Sequence, residues 1–252
     1  MNVMMNTLLA TDMILDVIEG QIILHIPHSK TEIPFYDGFN MDYIDDETKL
    51  LVDHHTDKIF DIPNVESLIF KYNRIFCDVE RLDDEDELLF KVGRGFCYTK
   101  TDDGKDLRIL TDEVKGEIKT NFYEKHHNKL IDMVEERLEK FGSVLIIDCH
   151  SFNDSPLKSD LDKTENRPDI CLGVDDFHTP DWLLNKLKLS FEGYNFSVKI
   201  NSPYSGTIIP LKYYNQNKNV MGIMIEVNKK LYLDDENKIS VLNNIIRKIL
   251  FS

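Results

Sequence analysis

Four apolar residues, Val144, Leu145, Ile146 and Ile147, run directly into Asp148, Cys149, His150 and Ser151. A short uninterrupted apolar run of this kind predicts a buried strand over 144–152 whose last residues emerge at the rim of a sheet. A second run, 21–26, ends in the same way, delivering His25, Pro27, His28 and Ser29, and Ile22, Leu24 and Ile26 share one face of it. A third, 221–227, carries Glu226 where an apolar residue would otherwise continue. In open α/β sheets the strand ends are where ligands bind. Two strand ends with histidines and one with a carboxylate therefore point to a metal site with a base beside it.

The rest of the chain supplies the layers around such a sheet. Residues 1–20 read as a short amphipathic segment closed by Gly20, and further strands are expected over 66–71, 168–173 and 196–200. Helices are expected over 45–60, from Thr111 to a stop at Gly142, over 179–191 with Thr179 as N-cap and Pro180 in the first turn, and over 234–250. In the first of these, Asp53 and Asp57 are four apart and share a face. Like charges there cost about 0.2–0.5 kcal/mol unless a metal, an arginine or water screens them. In the second, Tyr123, His127, Leu130, Val134 and Leu138 form one helical face and turn His127 toward the sheet. A satisfied core histidine and a ligand-facing one fit that pattern equally. Polar segments at 93–108, 153–166 and 201–207 read as a flap and two lids over the rim. The alternation of strands and helices predicts a single α/β domain over 1–252, with a mixed, mainly parallel central sheet and helices on both faces.

Composition narrows the chemistry. A chain of 252 residues is long enough for a full core. A formal net charge of -15 and a pI near 4.9 argue against nucleic acid or an anionic membrane as partner. An acidic substrate would need locally placed arginines, and Arg74 and Arg81 flank the apolar segment 75–79 among carboxylates. No apolar run reaches the ~20 residues that span a bilayer. Asp12, Asp16 and Glu19 interrupt the pattern of a secretory signal, so the expected location is cytoplasmic. Cys77, Cys97, Cys149 and Cys171 show no CxxC spacing and read as reduced, buried thiols.

The motifs share their order with a known family. The segments are His25-Ile-Pro-His28-Ser29, Asp53-His-His-Thr-Asp57, Arg74 with Asp78-Val-Glu-Arg81, and His127-Asn-Lys-Leu130. They continue with Asp148-Cys-His150-Ser151, Pro203-Tyr-Ser-Gly206 and Glu226-Val-Asn-Lys-Lys-Leu-Tyr232. Together they resemble the N-formylglutamate amidohydrolase family, related in fold to zinc carboxypeptidases and amino-acid deacylases. The resemblance implies a zinc-carboxypeptidase-like fold and one zinc ion per chain held by two histidines and a carboxylate. His28 and His150 fit the histidine pair. Asp53 is the chosen carboxylate, because position 31, where a carboxypeptidase-like acid would stand, is Thr31; Asp57 and Glu32 are weaker candidates.

By the same resemblance Glu226 is the general base, Arg74 assists catalysis, and Arg81, His127, Tyr204 and Ser205 bind substrate. The implied activity is zinc-dependent hydrolysis of the N-acyl amide, N-formyl above all, of an acidic amino acid such as N-formylglutamate. The partner is thus a small acyl amino acid. The sequence also departs from the family pattern: Glu80 stands where Asn is usual, Lys30 follows Ser29 in place of Gly, and Thr207 replaces a second Gly. Two alternatives stay open, a carboxypeptidase-like peptide-amide hydrolase and a metal-binding or ligand-sensing protein without turnover.

Overall fold

A computed structural model describes residues 19–83 and 87–251. The amphipathic segment expected at the N-terminus lies, up to residue 18, outside the described residues. The strands are β1 (Ile22–Ile26), β2 (Glu66–Ile69), β3 (Val144–Phe152), β4 (Ile170–Gly173), β5 (Val198–Ile200) and β6 (Val220–Asn228). They form one six-stranded sheet in the order β2-β1-β3-β6-β4-β5. All neighbours run parallel except β4 and β6, so the sheet is mixed and mainly parallel, as the pattern predicts.

The helices are α1 (Met41–Leu51), α2 (Thr56–Ile59), α3 (Asp112–Ile118), α4 (Glu124–Phe141), α5 (Asp181–Gly193) and α6 (Glu236–Phe251). Strand alternation sorts the core into two layers. Ile22, Leu24, Ile26, Leu145 and Ile147 pack with Leu183 and Leu187 of α5 and Ile246 and Ile249 of α6. Ile23, Val144 and Ile146 face Leu130, Met133 and Val134 of α4 on the other side. A third cluster, including Phe76, Tyr98 and Leu107, gives segment 70–110 its own apolar floor beyond the sheet. Among the described residues, no helix is long and apolar enough to cross a membrane.

Three local expectations need correction. The helix expected over 45–60 is broken: α1 stops at Leu51, and His55 takes a left-handed φ of 67° before α2 begins. Asp53 and Asp57 therefore do not share a helical face; Asp57 pairs with Lys30 at 2.5 Å. The helical region after Thr111 contains a π-turn, Lys119–Tyr123, which rotates α4 out of the phase of a uniform helix. The buried stripe of α4 is His126, Leu130, Met133, Val134 and Arg137, with His127 at its margin. Thr179 does not cap α5; its hydroxyl donates to Gly222 O at 2.6 Å and accepts from Asp175 N. Thr111 and Gly142 do end their helical region as expected, the first accepting from Val114 N and the second at φ 77°.

Candidate metal centre

Each member of the central trio is delivered by a different backbone device. His28 follows the end of β1, and its carbonyl accepts a hydrogen bond from Asp53 N at 2.9 Å. That clamp draws the break between α1 and α2 against the strand end. Thr56 fixes the same break by donating its hydroxyl to Asp53 O at 2.9 Å. His150 projects from β3, where no residue is more than slightly exposed.

The trio meets around one carboxylate oxygen. Asp53 Oδ2 lies 3.1 Å from His150 Nδ1 and 3.6 Å from His28 Nδ1. A tetrahedral ion bound at about 2.0–2.2 Å requires its donors to lie about 3.3–3.6 Å apart. The observed separations bracket that range. His28 Nδ1 is buried and has no hydrogen-bond partner, a costly arrangement for a ring nitrogen unless something else engages it. Two imidazoles and a carboxylate with one such orphaned donor fit zinc or a similar divalent ion.

Outer partners hold the rings. His28 Nε2 lies 2.8 Å from Asp78 Oδ1. Asp78 in turn accepts from Arg74 Nε and Nη2, from the Tyr98 hydroxyl at 2.7 Å, and from Glu80 N. His150 Nε2 lies 3.0 Å from Asp148 Oδ1. Burial pushes the carboxyl of Asp53 up, but its hydrogen bond to His150, with His28 and Arg74 close by, outweighs it and keeps the group ionised. Asp78 is likewise held well below the usual carboxylate range, His28 and Arg74 overcoming burial.

Glu226 completes the floor. It is the register partner of His150 on the neighbouring strand β6. Its carboxyl is buried, and Oε2 has no hydrogen-bond partner. Burial raises its pKa to about 8, against the opposing pull of His150 and Arg74.

These groups line a cavity of about 370 Å³. Arg74, Arg81, Tyr204 and Ser205 also face it, together with Leu157, Asp160 and Leu161 from the 153–166 segment. Arg81 Nε is buried without a hydrogen-bond partner, 3.9 Å from Asp78. The 93–108 flap and the 153–166 lid are tied together, since Asp102 accepts from Lys158 N, Ser159 N and the Ser159 hydroxyl. Of the expected site residues, His127 is not at the cavity wall; it packs on Tyr123 with ring centroids 4.3 Å apart. Glu32 is exposed, and Asp57 is engaged by Lys30. Two groups of the site are not expected from the sequence. Lys229 is a buried cation on the cavity wall, held below its ordinary pKa by burial, and its place three residues after Glu226 is the available signal. Asp78, which orients His28, appears in the sequence within the Asp78-Val-Glu-Arg81 segment but without a role of its own.

Comparison with known proteins agrees with this architecture. No curated protein matches the sequence. An N-formylglutamate amidohydrolase from Ralstonia eutropha superposes with a TM-score of 0.76 at 18% identity, over 92% of this chain and 91% of that one. A gene product from Agrobacterium tumefaciens superposes with a TM-score of 0.68 at 16% identity, over 92% and 88%. At these identities the two establish the fold. Residues 20–233 match the family described as N-formylglutamate amidohydrolase, and the chain therefore belongs to that family of amide-hydrolysing enzymes.

Proposed function

We propose that the chain works as a single-domain, zinc-dependent amidohydrolase that cleaves the N-acyl amide, N-formyl in the first instance, of an acidic amino acid such as glutamate. The observation that carries this reading is the pairing of Glu226 with His150: an unpartnered carboxyl oxygen at the cavity floor, beside a trio with metal-ligand chemistry. His28, Asp53 and His150 would hold the ion. When bound, zinc supplies Lewis acidity, polarising the acyl carbonyl and lowering the pKa of water toward about 7.

Glu226 takes the proton from the attacking water and later returns it to the leaving amine. A base with a pKa of about 8 would be largely protonated at neutral pH, and a divalent cation alongside lowers that value into the working range. Arg74, on the cavity lining, would stabilise the developing oxyanion. Arg81, with its unpartnered Nε, offers a fork for the substrate carboxylate, and Lys229 adds positive charge in the same cavity. These cations offset locally the field of a chain with net charge -15. Tyr204 and Ser205 would close on the substrate from the 201–207 segment. A cavity of this size suits a free acyl amino acid.

The test is a hydrolysis screen of N-formyl, N-acetyl and N-succinyl amino acids with zinc-loaded protein. Turnover restricted to acidic amino acids supports the proposal. Stoichiometric zinc without hydrolysis of any acyl amino acid contradicts it and favours a metal-binding or ligand-sensing role.

A further inference from the structure

Beside the trio lies a second cluster that the proposed mechanism does not use: His25 of β1, Asp148 of β3, and Glu80. His25 and Asp148 are fully buried register partners on neighbouring parallel strands, and Glu80 reaches them from the cavity wall. His25 Nδ1 is 2.9 Å from Asp148 Oδ1 and 3.2 Å from Glu80 Oε1. A ring nitrogen carries at most one proton, and here it serves Asp148. Glu80 Oε1 is left buried with no hydrogen-bond partner. An unserved oxygen of a buried carboxylate is expensive, and the described residues provide no further donor to it.

We propose that His25 Nδ1, Glu80 and Asp148 Oδ1 form a second divalent-cation site, so that the protein carries a two-metal centre. A cation can satisfy all three donors at once, which the single ring proton cannot. One imidazole and two carboxylates suit first-row ions that accept nitrogen and oxygen ligands, such as zinc, manganese or cobalt. Binding displaces the His25 Nδ1 proton to solvent. The other ring nitrogen has a partner in place: His25 Nε2 lies 2.8 Å from His126 Nε2, and with Nδ1 on the cation the Nε2 proton would be donated to His126, the outer-shell arrangement that fixes the tautomer of metal-bound histidines. Because Glu80 lines the cavity, the ion has a route in.

The cluster also touches the first trio. His150 Nε2 lies 3.0 Å from Asp148 Oδ1 and 3.3 Å from Glu80 Oε2. The carboxylates that bind the second cation thus also orient His150 toward the first. This inference goes beyond the amidohydrolase proposal, and its test is independent of turnover.

The experiment counts zinc per chain by elemental analysis after loading the full-length protein with zinc alone and removing the excess. It compares wild type with Glu80→Gln, His25→Asn and His28→Ala, and locates the ions by anomalous diffraction from zinc-loaded wild-type crystals. The expected result is two ions in wild type, one in each variant, and an anomalous peak bonded to His25 Nδ1. Glu80→Gln is nearly isosteric, so it decides the matter if His25→Asn fails to fold. One ion in wild type that only His28→Ala removes would overturn the second site while leaving the first intact. Two ions retained in both Glu80→Gln and His25→Asn would overturn its location. No zinc in wild type would overturn both sites.

Discussion

Glu226 and His150 sit side by side in register on β6 and β3, the only close parallel pairing in which a carboxyl faces a histidine of the trio among the described strands. Burial raises the Glu226 pKa from 4.5 to about 8, which makes its titration visible in stability. In metal-stripped protein the unfolded chain ionises Glu226 near 4.5, whereas the folded chain keeps the proton until about 8. The stability this group contributes is therefore complete below 4.5 and is lost as pH rises to about 8. Glu226→Gln removes that loss. In chemical denaturation of the stripped proteins, the variant gains on wild type as pH rises from about 5 to about 8, with an upper limit of roughly 1.4 kcal/mol for each pH unit of the window. A constant difference across that range would show that Glu226 does not titrate in this way.

Arg81→Lys keeps a positive charge but loses the planar fork. With an acidic acyl amino acid as substrate, KM rises by about tenfold or more while kcat changes little, because the lost contact acts on bound substrate and transition state alike. Steady-state kinetics on N-formyl-glutamate and N-formyl-leucine measures it. An equal effect on both substrates would remove Arg81 from recognition of the side-chain carboxylate.

His28→Ala removes one of three protein donors and frees Asp78 from its ring partner. Asp53→Asn keeps the shape but weakens the only carboxylate of the trio. Each variant is expected to lose zinc at least 100-fold more readily than wild type in competition with a chelator. Wild-type affinity in Asp53→Asn would assign the carboxylate ligand elsewhere.

How much of the fold and site is legible in the sequence depends on the range of the interactions. The runs ending at His150 and containing Glu226 specify buried strands locally, and the structure has both. The turn at Asp53 is different. A 3.6-residue pattern extends a helix through 45–60, because nothing local reveals the hydrogen bond from Asp53 N to His28 O that holds the chain in its break. His127 falls at the margin of the sheet-facing stripe for a different reason: Leu130 and Val134 fit either neighbouring face, and the stripe of α4 is centred on His126, Leu130, Met133 and Arg137, so that His126 reaches His25. The cluster of His25, Glu80 and Asp148 has no local signature, since strand pairing joins His25 to Asp148 across 123 residues and Glu80 is added from a turn.

The central claim is that this site hydrolyses amides with Glu226 as base. It is tested most directly by the rate of glutamate release from N-formyl-L-glutamate, measured for zinc-loaded wild type and for Glu226→Gln with zinc content determined in the same samples. General-base assistance is worth about 10²–10⁴-fold. The account predicts turnover in wild type, a fall in kcat of that size in the variant, and equal zinc in both. Near wild-type turnover in zinc-replete Glu226→Gln would contradict it.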